Sequence, residues 1–325
     1  MSRSPLRARA VRRAIHICGA VAVAIVVAGA APRVDAAPAP ARVAVTPAAS
    51  PAPARGDLWF LDSLVGRSGK LRALFVNPTR HTYAVDALEQ LFGDSALERP
   101  GIYTVQDSDV TQPLSFISLV PFTAKHQGRI GPYRLGTWPH ERRTARNSAY
   151  ANPDGFVEVT PENEDTYVSE HFRLRDFLTH DQENVWPKYL VLESRLVDKL
   201  ELVIADLNEH GIRVEHLAIM SGFRTPEYNR LGVGRRGGRA QDSRHQYGDA
   251  ADVYVDNNES GRMDDLNHDG RVDMRDARII RSAVDRVEAE DPELVGGVGL
   301  YHATRAHGPF VHIDTRGERV RWGTR

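Results

Sequence analysis

Three short segments in the C-terminal half of this 325-residue chain carry side chains able to do chemistry. They are Ser221-Gly222-Phe223-Arg224-Thr225-Pro226, then Ser243-Arg244-His245-Gln246-Tyr247-Gly248-Asp249-Ala250-Ala251-Asp252, then Phe310-Val311-His312-Ile313-Asp314. Between the last two lies Asp265-Leu266-Asn267-His268-Asp269-Gly270-Arg271-Val272-Asp273-Met274-Arg275-Asp276. The single cysteine, Cys18, sits in an apolar stretch near the N-terminus. Any metal site must therefore use histidine, carboxylate or carbonyl ligands, and cysteine zinc fingers are excluded.

Taken in order, the three segments resemble the D-Ala-D-Ala metallopeptidase superfamily, which includes murein endopeptidases, D-Ala-D-Ala carboxypeptidases and the Hedgehog signalling domain. The branch most similar is that of the murein endopeptidases, whose zinc histidine lies in a Phe-Val-His-Ile-Asp segment. The resemblance covers roughly residues 170 to 325. It implies zinc held by His245, Asp252 and His312 with one coordination position open, the arrangement of a catalytic rather than a structural site. It also implies that Arg224 supports the developing oxyanion and that Ser243 lines the substrate site. Relatives place a Glu three residues before the last zinc histidine, or a His two before it, as general base. Here those positions are Pro309 and Phe310, which accept no proton. Two candidates remain: Asp314, which shares a strand face with His312 and could equally orient it, and His307 just before the strand.

The segment from Asp265 to Asp276 fits the calcium-loop template, with oxygens from Asp265, Asn267, Asp269, Asp273 and Asp276, glycine at the sixth position and the carbonyl of Arg271 at the seventh. Asp in place of Glu at the last position resembles a dockerin loop. The expectation is a bound, structural Ca2+ bracing the zinc site. Upstream, Asp256, Asn258, Ser260, Gly261 and Asp264 form a poorer copy that reads as an Asp-rich solvated turn.

These residues need elements to hold them. Leu192, Leu196, Leu200, Val203 and Leu207 recur at helical spacing between Pro187 and Gly211, so an amphipathic helix is expected there. Strands are expected at 217–220, 250–255 and 310–314. A second helix, with Ile280, Ala283, Val284 and Val287 on one face, follows the calcium loop. The predicted fold is α+β: a small antiparallel sheet with packed helices and a zinc cleft, over 166–325, with the calcium loop inserted at about 256–276. Before it, residues 56–165 alternate short apolar runs with turn residues and predict a separate small β-rich domain of unassigned role. Its Tyr133, Trp138 and Tyr150 could stack on sugars or serve as local core.

Residues 1–36 read as a signal peptide, with arginines before an uncharged stretch and a small-residue cleavage site after Ala36. The Ala/Pro-rich linker at 37–55 cannot build a core. Lys plus Arg number 42 against 43 Asp plus Glu, so nothing in the charge balance suits nucleic acid or an anionic membrane. No lasting membrane insertion is expected, and no protein partner is identifiable. The function expected is an exported zinc peptidase acting on peptidoglycan, periplasmic or extracellular, cutting bonds that contain D-amino acids and endopeptidic rather than carboxypeptidic. The competing expectation is a wall-binding domain that keeps zinc without hydrolysis.

Overall fold

The run Ala250–Val255 is buried along nearly its whole length, as expected of a strand covered on both faces. It is seen in a computed structural model that describes residues 65–80, 82–105, 113–142, 147–234 and 238–323. The expected signal peptide, linker and first residues of the β-rich domain (1–36, 37–55 and 56–64) lie outside the described residues. Among those described, no helix is long and apolar enough to cross a membrane.

The elements in chain order are β1 (Ala73–Val76), α1 (Tyr83–Phe92), α2 (Ser95–Glu98), β2 (Gly101–Val105), β3 (Leu114–Ser118), β4 (Val120–Pro121), β5 (Arg129–Ile130), β6 (Tyr133–Arg134), β7 (Gly155–Val159), β8 (Lys188–Leu190) and α3 (Ser194–Glu209). After these come β9 (Leu217–Ser221), α4 (Pro226–Leu231), β10 (Ala250–Val255), α5 (Met274–Glu290), β11 (Gly297–Tyr301), β12 (Phe310–Asp314) and β13 (Val320–Trp322). The main sheet has the order β13-β11-β12-β10-β9, antiparallel except for the parallel pair β11 and β13. Smaller sheets join β1-β3-β2, β4-β7-β8 and β5-β6. The mixed α+β class is as the sequence predicts.

The amphipathic helix starts at Ser194, not near Pro187, because Lys188–Leu190 is taken up as a strand paired with Val157–Val159. Its Leu196, Leu200, Val203 and Leu207 are fully buried, each stabilising the fold by roughly 1.5–3 kcal/mol. α3 packs on α5, and α5 packs on β11 and β12.

The described residues between 65 and 165 are less separate than their composition suggests. Leu74, Val76, Val85, Leu88 and Phe116, from β1, α1 and β3, form a small cluster of their own. The remainder joins the main core: Leu71, Ile117, Trp138, Phe156 and Val159 belong to one cluster with Leu200, Val253 and Ile313. The expected division near residue 165 has no counterpart in the packing, since β8 adds the chain beyond it to the sheet of β4 and β7.

A buried ion pair ties the helices to the sheet. Lys199 on α3, fully buried, donates to Glu288 Oε1 on α5 and to the carbonyl of Asp314 at the end of β12, both at 2.8 Å. Glu288 also accepts from Gly296 N (3.1 Å) and from Arg321 on β13. Removing one partner of such a pair leaves a charge in a poorly solvating interior. Lys199→Met is expected to lower the unfolding free energy by about 3 kcal/mol, the low end of the usual cost because Arg321 still covers Glu288. Urea unfolding with an unchanged m value would measure it.

Candidate metal centre

Asp252 on β10 stands directly opposite His312 on β12 and opposite Ser221 on β9. His312 stands opposite Gly299 on β11, and Gly299 opposite Trp322 on β13. Directly opposed residues project from the same face of a sheet. One row, Ser221-Asp252-His312-Gly299-Trp322, thus crosses all five strands and sets two expected ligands side by side.

His245 reaches the row from the 3-10 turn Arg244–Tyr247. Gly248 ends that turn in the left-handed region (φ 70°), where a Cβ would also strike the carbonyl of Val191, so only glycine closes it. Several bonds hold the turn in place. Arg224 N donates to the His245 carbonyl at 3.1 Å and Glu193 N to the Gly248 carbonyl at 2.9 Å. Arg244 Nε bridges both carboxylate oxygens of Asp249 at 3.0 and 3.1 Å. Trp138 Nε1 donates to the Gln246 carbonyl at 2.8 Å. Tyr133 and Trp138 are core residues, 0 and 1 % exposed, so neither has a face free for a sugar. Tyr150 lies edge-on to Tyr247 and against the Arg244 guanidinium.

His245 Nε2 lies 3.1 Å from His312 Nδ1 and 3.2 Å from Asp252 Oδ1, and His312 Nδ1 lies 2.9 Å from Asp252 Oδ1. A tetrahedral zinc ion, with ligands at about 2.0–2.1 Å, separates any two of them by about 3.3 Å. The donor set, two imidazoles and a carboxylate, is one zinc accepts. Each ligand is also fixed from behind. His245 Nδ1 donates to the Gly222 carbonyl at 2.7 Å, which leaves its Nε2 lone pair facing the cluster. His312 Nε2 donates to Asp314 Oδ2 at 3.1 Å, which leaves Nδ1 facing inward. Asp252 Oδ2 accepts from Arg224 Nη2. Second partners of this kind set tautomer and ring orientation. Among the described residues this is the one group of three or more His, Cys, Asp or Glu whose ligand atoms lie within 4.8 Å of one another.

Burial pushes the His245 imidazole down, whereas for His312 hydrogen bonds and charge from Asp252 and Asp314 outweigh burial and push it up to about 9. Burial would raise Asp252 and Asp314, but for Asp252 the charge of and hydrogen bonds with His245 and His312, and for Asp314 those with His312 and Arg316, hold them well below the carboxylate range. Two ionised carboxylates against buried imidazoles make a pocket that favours a cation.

The other expected site residues divide. Arg224 is at the row: its Nε donates to Ser221 Oγ at 2.8 Å and its Nη2 binds Asp252, which leaves Nη1 for a further acceptor. Asp314, fully buried, is committed to His312 and Arg316 and accepts from Gly297 N at 2.7 Å. It lies behind His312, against the ring nitrogen that does not face His245 and Asp252. His307 lies edge-on to Phe310 at 5.0 Å between ring centres and donates from Nδ1 to the Gly308 carbonyl. Ser243 is buried at the start of the His245 turn, its carbonyl accepting from Gln246 N. Sequence reasoning did not single out Tyr301, Arg316 or Trp322. Trp322 lies 5.2 Å from the His312 ring and bonds Tyr301 Oη at 3.0 Å through Nε1. Only the strand register brings these together.

The acidic segment forms two turns of one design. Asp265 accepts from Asp269 N and Gly270 N (3.2 and 2.7 Å), and Asp256 accepts from Ser260 N and Gly261 N (2.8 and 2.7 Å). In both, the fourth and sixth residues are left-handed: His268 and Gly270 at φ 57° and 81°, Glu259 and Gly261 at 53° and 76°. The upstream copy thus repeats the backbone of the main loop nine residues earlier. Asp276 is the third residue of α5 and caps it, accepting from Asp273 N (2.8 Å) and Leu266 N (2.9 Å). Arg275 pairs with Asp269.

A family model described as peptidoglycan L,D-endopeptidase MepK matches residues 149–322, more than half of the chain. No curated protein and no solved structure matches it.

If Asp314 sets the His312 ring, Asp314→Asn is expected to weaken metal binding by about 10–100-fold. Competition against a chromogenic chelator measures this, and unchanged affinity would mean that the strand alone orients the ring.

Proposed function

Because the chain belongs to the peptidoglycan L,D-endopeptidase MepK family, a family of peptidoglycan endopeptidases, we propose that it is a zinc peptidase hydrolysing D-amino-acid-containing peptide bonds of the cell wall, as an endopeptidase. A wall substrate requires export to the periplasm or beyond, which residues 1–36 would direct. The observation that carries the reading is the convergence of His245 Nε2, Asp252 Oδ1 and His312 Nδ1 within 3.2 Å, each with its other polar atom already committed.

His245, Asp252 and His312 would hold the zinc, and Asp314 and the Gly222 carbonyl keep the imidazoles in the ligating tautomer. When bound, zinc lowers the pKa of a water ligand to about 7 and polarises the scissile carbonyl. Arg224, fixed by Ser221 and Asp252, offers its remaining Nη1 donors to the substrate oxygen as charge builds there. Of the two expected proton acceptors, Asp314 has both oxygens committed to His312, Arg316 and Gly297 N, whereas His307 uses Nδ1 on the Gly308 carbonyl and keeps Nε2 as the acceptor. Ser243, two residues before His245, lines the substrate side.

The loop Asp265–Asp276 is proposed to bind calcium through Asp265, Asn267, Asp269, Asp273, Asp276 and the Arg271 carbonyl. Its support is the template spacing together with the paired turn geometry, and Asp276 links the loop to α5, which packs on β12. Calcium there stabilises the helix that backs the metal strand.

Digestion of purified peptidoglycan by residues 37–325, followed by mass spectrometry, tests the enzyme reading. Released peptides are expected with the wild type, none with His245→Ala, and loss on chelation with recovery on adding zinc. Intact murein from a zinc-loaded wild type would point to a binding domain instead, and loss of a terminal residue alone to a carboxypeptidase. For calcium, the melting temperature at about 100-fold excess over Kd is expected to rise by about 5–10 °C, from about 2.7 kcal/mol of linkage. No shift with zinc held constant would remove the calcium site.

A further inference from the structure

Beyond the ligands, the row across the sheet continues into aromatic side chains. Gly299 pairs with His312 on one side and Trp322 on the other, and a Cβ at 299 would collide with the indole. The missing side chain lets Trp322 lie over β11 with its ring 5.2 Å from that of His312. Two residues on, Tyr301 projects from the same face and stacks flat on Phe310, 4.5 Å away at 3°. Trp322 Nε1 donates to Tyr301 Oη at 3.0 Å. The indole thereby fills one lone pair of the hydroxyl, whose own proton has no acceptor among the described residues. Both side chains are only half-buried. In the sheet order they occupy the β11 and β13 side of the ligands, while Arg224 follows β9 at the opposite edge.

We propose that Tyr301 and Trp322 form the substrate-binding wall on the side of the metal ligands away from Arg224, with the Tyr301 hydroxyl donating a hydrogen bond to the peptide and Trp322 positioning that hydroxyl. This rests on the peptidase reading and names how the substrate is held. The chemistry of the wall selects a peptide with an aliphatic stretch followed by a carbonyl or carboxylate oxygen: flat rings bury methylene groups, and a neutral O–H suits an oxygen acceptor. A cross-linked stem peptide, joined through the methylene chain of a diamino acid, carries both. Arg224 and Tyr301 then approach the bound peptide from opposite sides of the expected ligands.

The test uses a purified cross-linked muropeptide. Tyr301→Phe keeps the ring stack and removes only the O–H. It is expected to raise KM about three- to tenfold, the worth of one hydrogen bond to a neutral acceptor, with kcat within twofold and metal content unchanged. Trp322→Phe, which loses the N–H that aims the hydroxyl, should shift KM in the same direction. Calorimetric binding of the same muropeptide to His245→Ala and to His245→Ala/Tyr301→Phe reads the wall without turnover, and the double variant is expected to bind three- to tenfold more weakly. A Tyr301→Phe enzyme with KM within twofold of wild type, or one altered in kcat alone, overturns the inference. If wild type releases no peptide, the peptidase reading fails, and the calorimetric comparison still decides on the wall: equal affinities overturn it.

Discussion

Ser221, Asp252, His312, Gly299 and Trp322 stand opposite one another on five neighbouring strands, and the site exists only while that register holds. Side chains alternate along a strand, so a slip of one residue between β10 and β12 would send a ligand to the far face. The register is pinned away from the ligands. Lys199 grips the Asp314 carbonyl at the end of β12, and Glu288 grips Gly296 just before β11 and Arg321 in the middle of β13. The two helices therefore fix the relative position of three strands through one buried ion pair, beyond the apolar packing that holds them against the sheet.

The same logic governs the charges. Asp252, Asp314, His245 and His312 are all buried, a combination that is costly unless every group is paired. Arg224 answers Asp252 and Arg316 answers Asp314, while the carbonyl of Gly222 and the carboxylate of Asp314 take the outer imidazole protons. What stays free of outer partners is the inner set of atoms, His245 Nε2, Asp252 Oδ1 and His312 Nδ1, which lie 2.9–3.2 Å apart, a spacing that suits a cation held among them. A satisfied outer ring and an unsatisfied centre is the electrostatic form of a metal site.

Much of this was legible in the chain. The meeting of His245, Asp252 and His312 is what the family resemblance implies, and the strands that carry Asp252 and His312 and the faces of both long helices follow from motif and periodicity. The family likeness rests on those same segments. Other features were not legible because they depend on what lies beside a residue rather than before or after it. Strand alternation places Asp314 on the His312 face, yet only the fold puts it against Nε2 of the imidazole and not beside Nδ1. Tyr301 and Trp322 are separated from the motifs by loops, and no local pattern reveals a register. Proline at 187 suggested a helix start, but pairing with β7 claimed the next three residues as a strand. Composition suggested a separate domain before residue 165, because short apolar runs look alike whether they close on themselves or on a neighbour.

That last point bears on what the N-terminal region does. His245 lies in a turn too short to hold its own geometry, and much of its support comes from upstream. Trp138 bonds the Gln246 carbonyl, and the Ala149 carbonyl accepts from Arg244. The Leu135 carbonyl accepts from Glu227 N at the first turn of α4, directly after Arg224. Trp138, fully buried, packs tilted against Phe156 and edge-on to Phe122, so its bond is anchored in the shared core. Leu135, Trp138 and Ala149 thus back the candidate metal site: they support the turn that carries His245, the one expected ligand that the sheet itself does not carry. A ligand on a turn needs such backing, since misplacement by even 1 Å would take His245 Nε2 out of reach of a centre shared with Asp252 and His312.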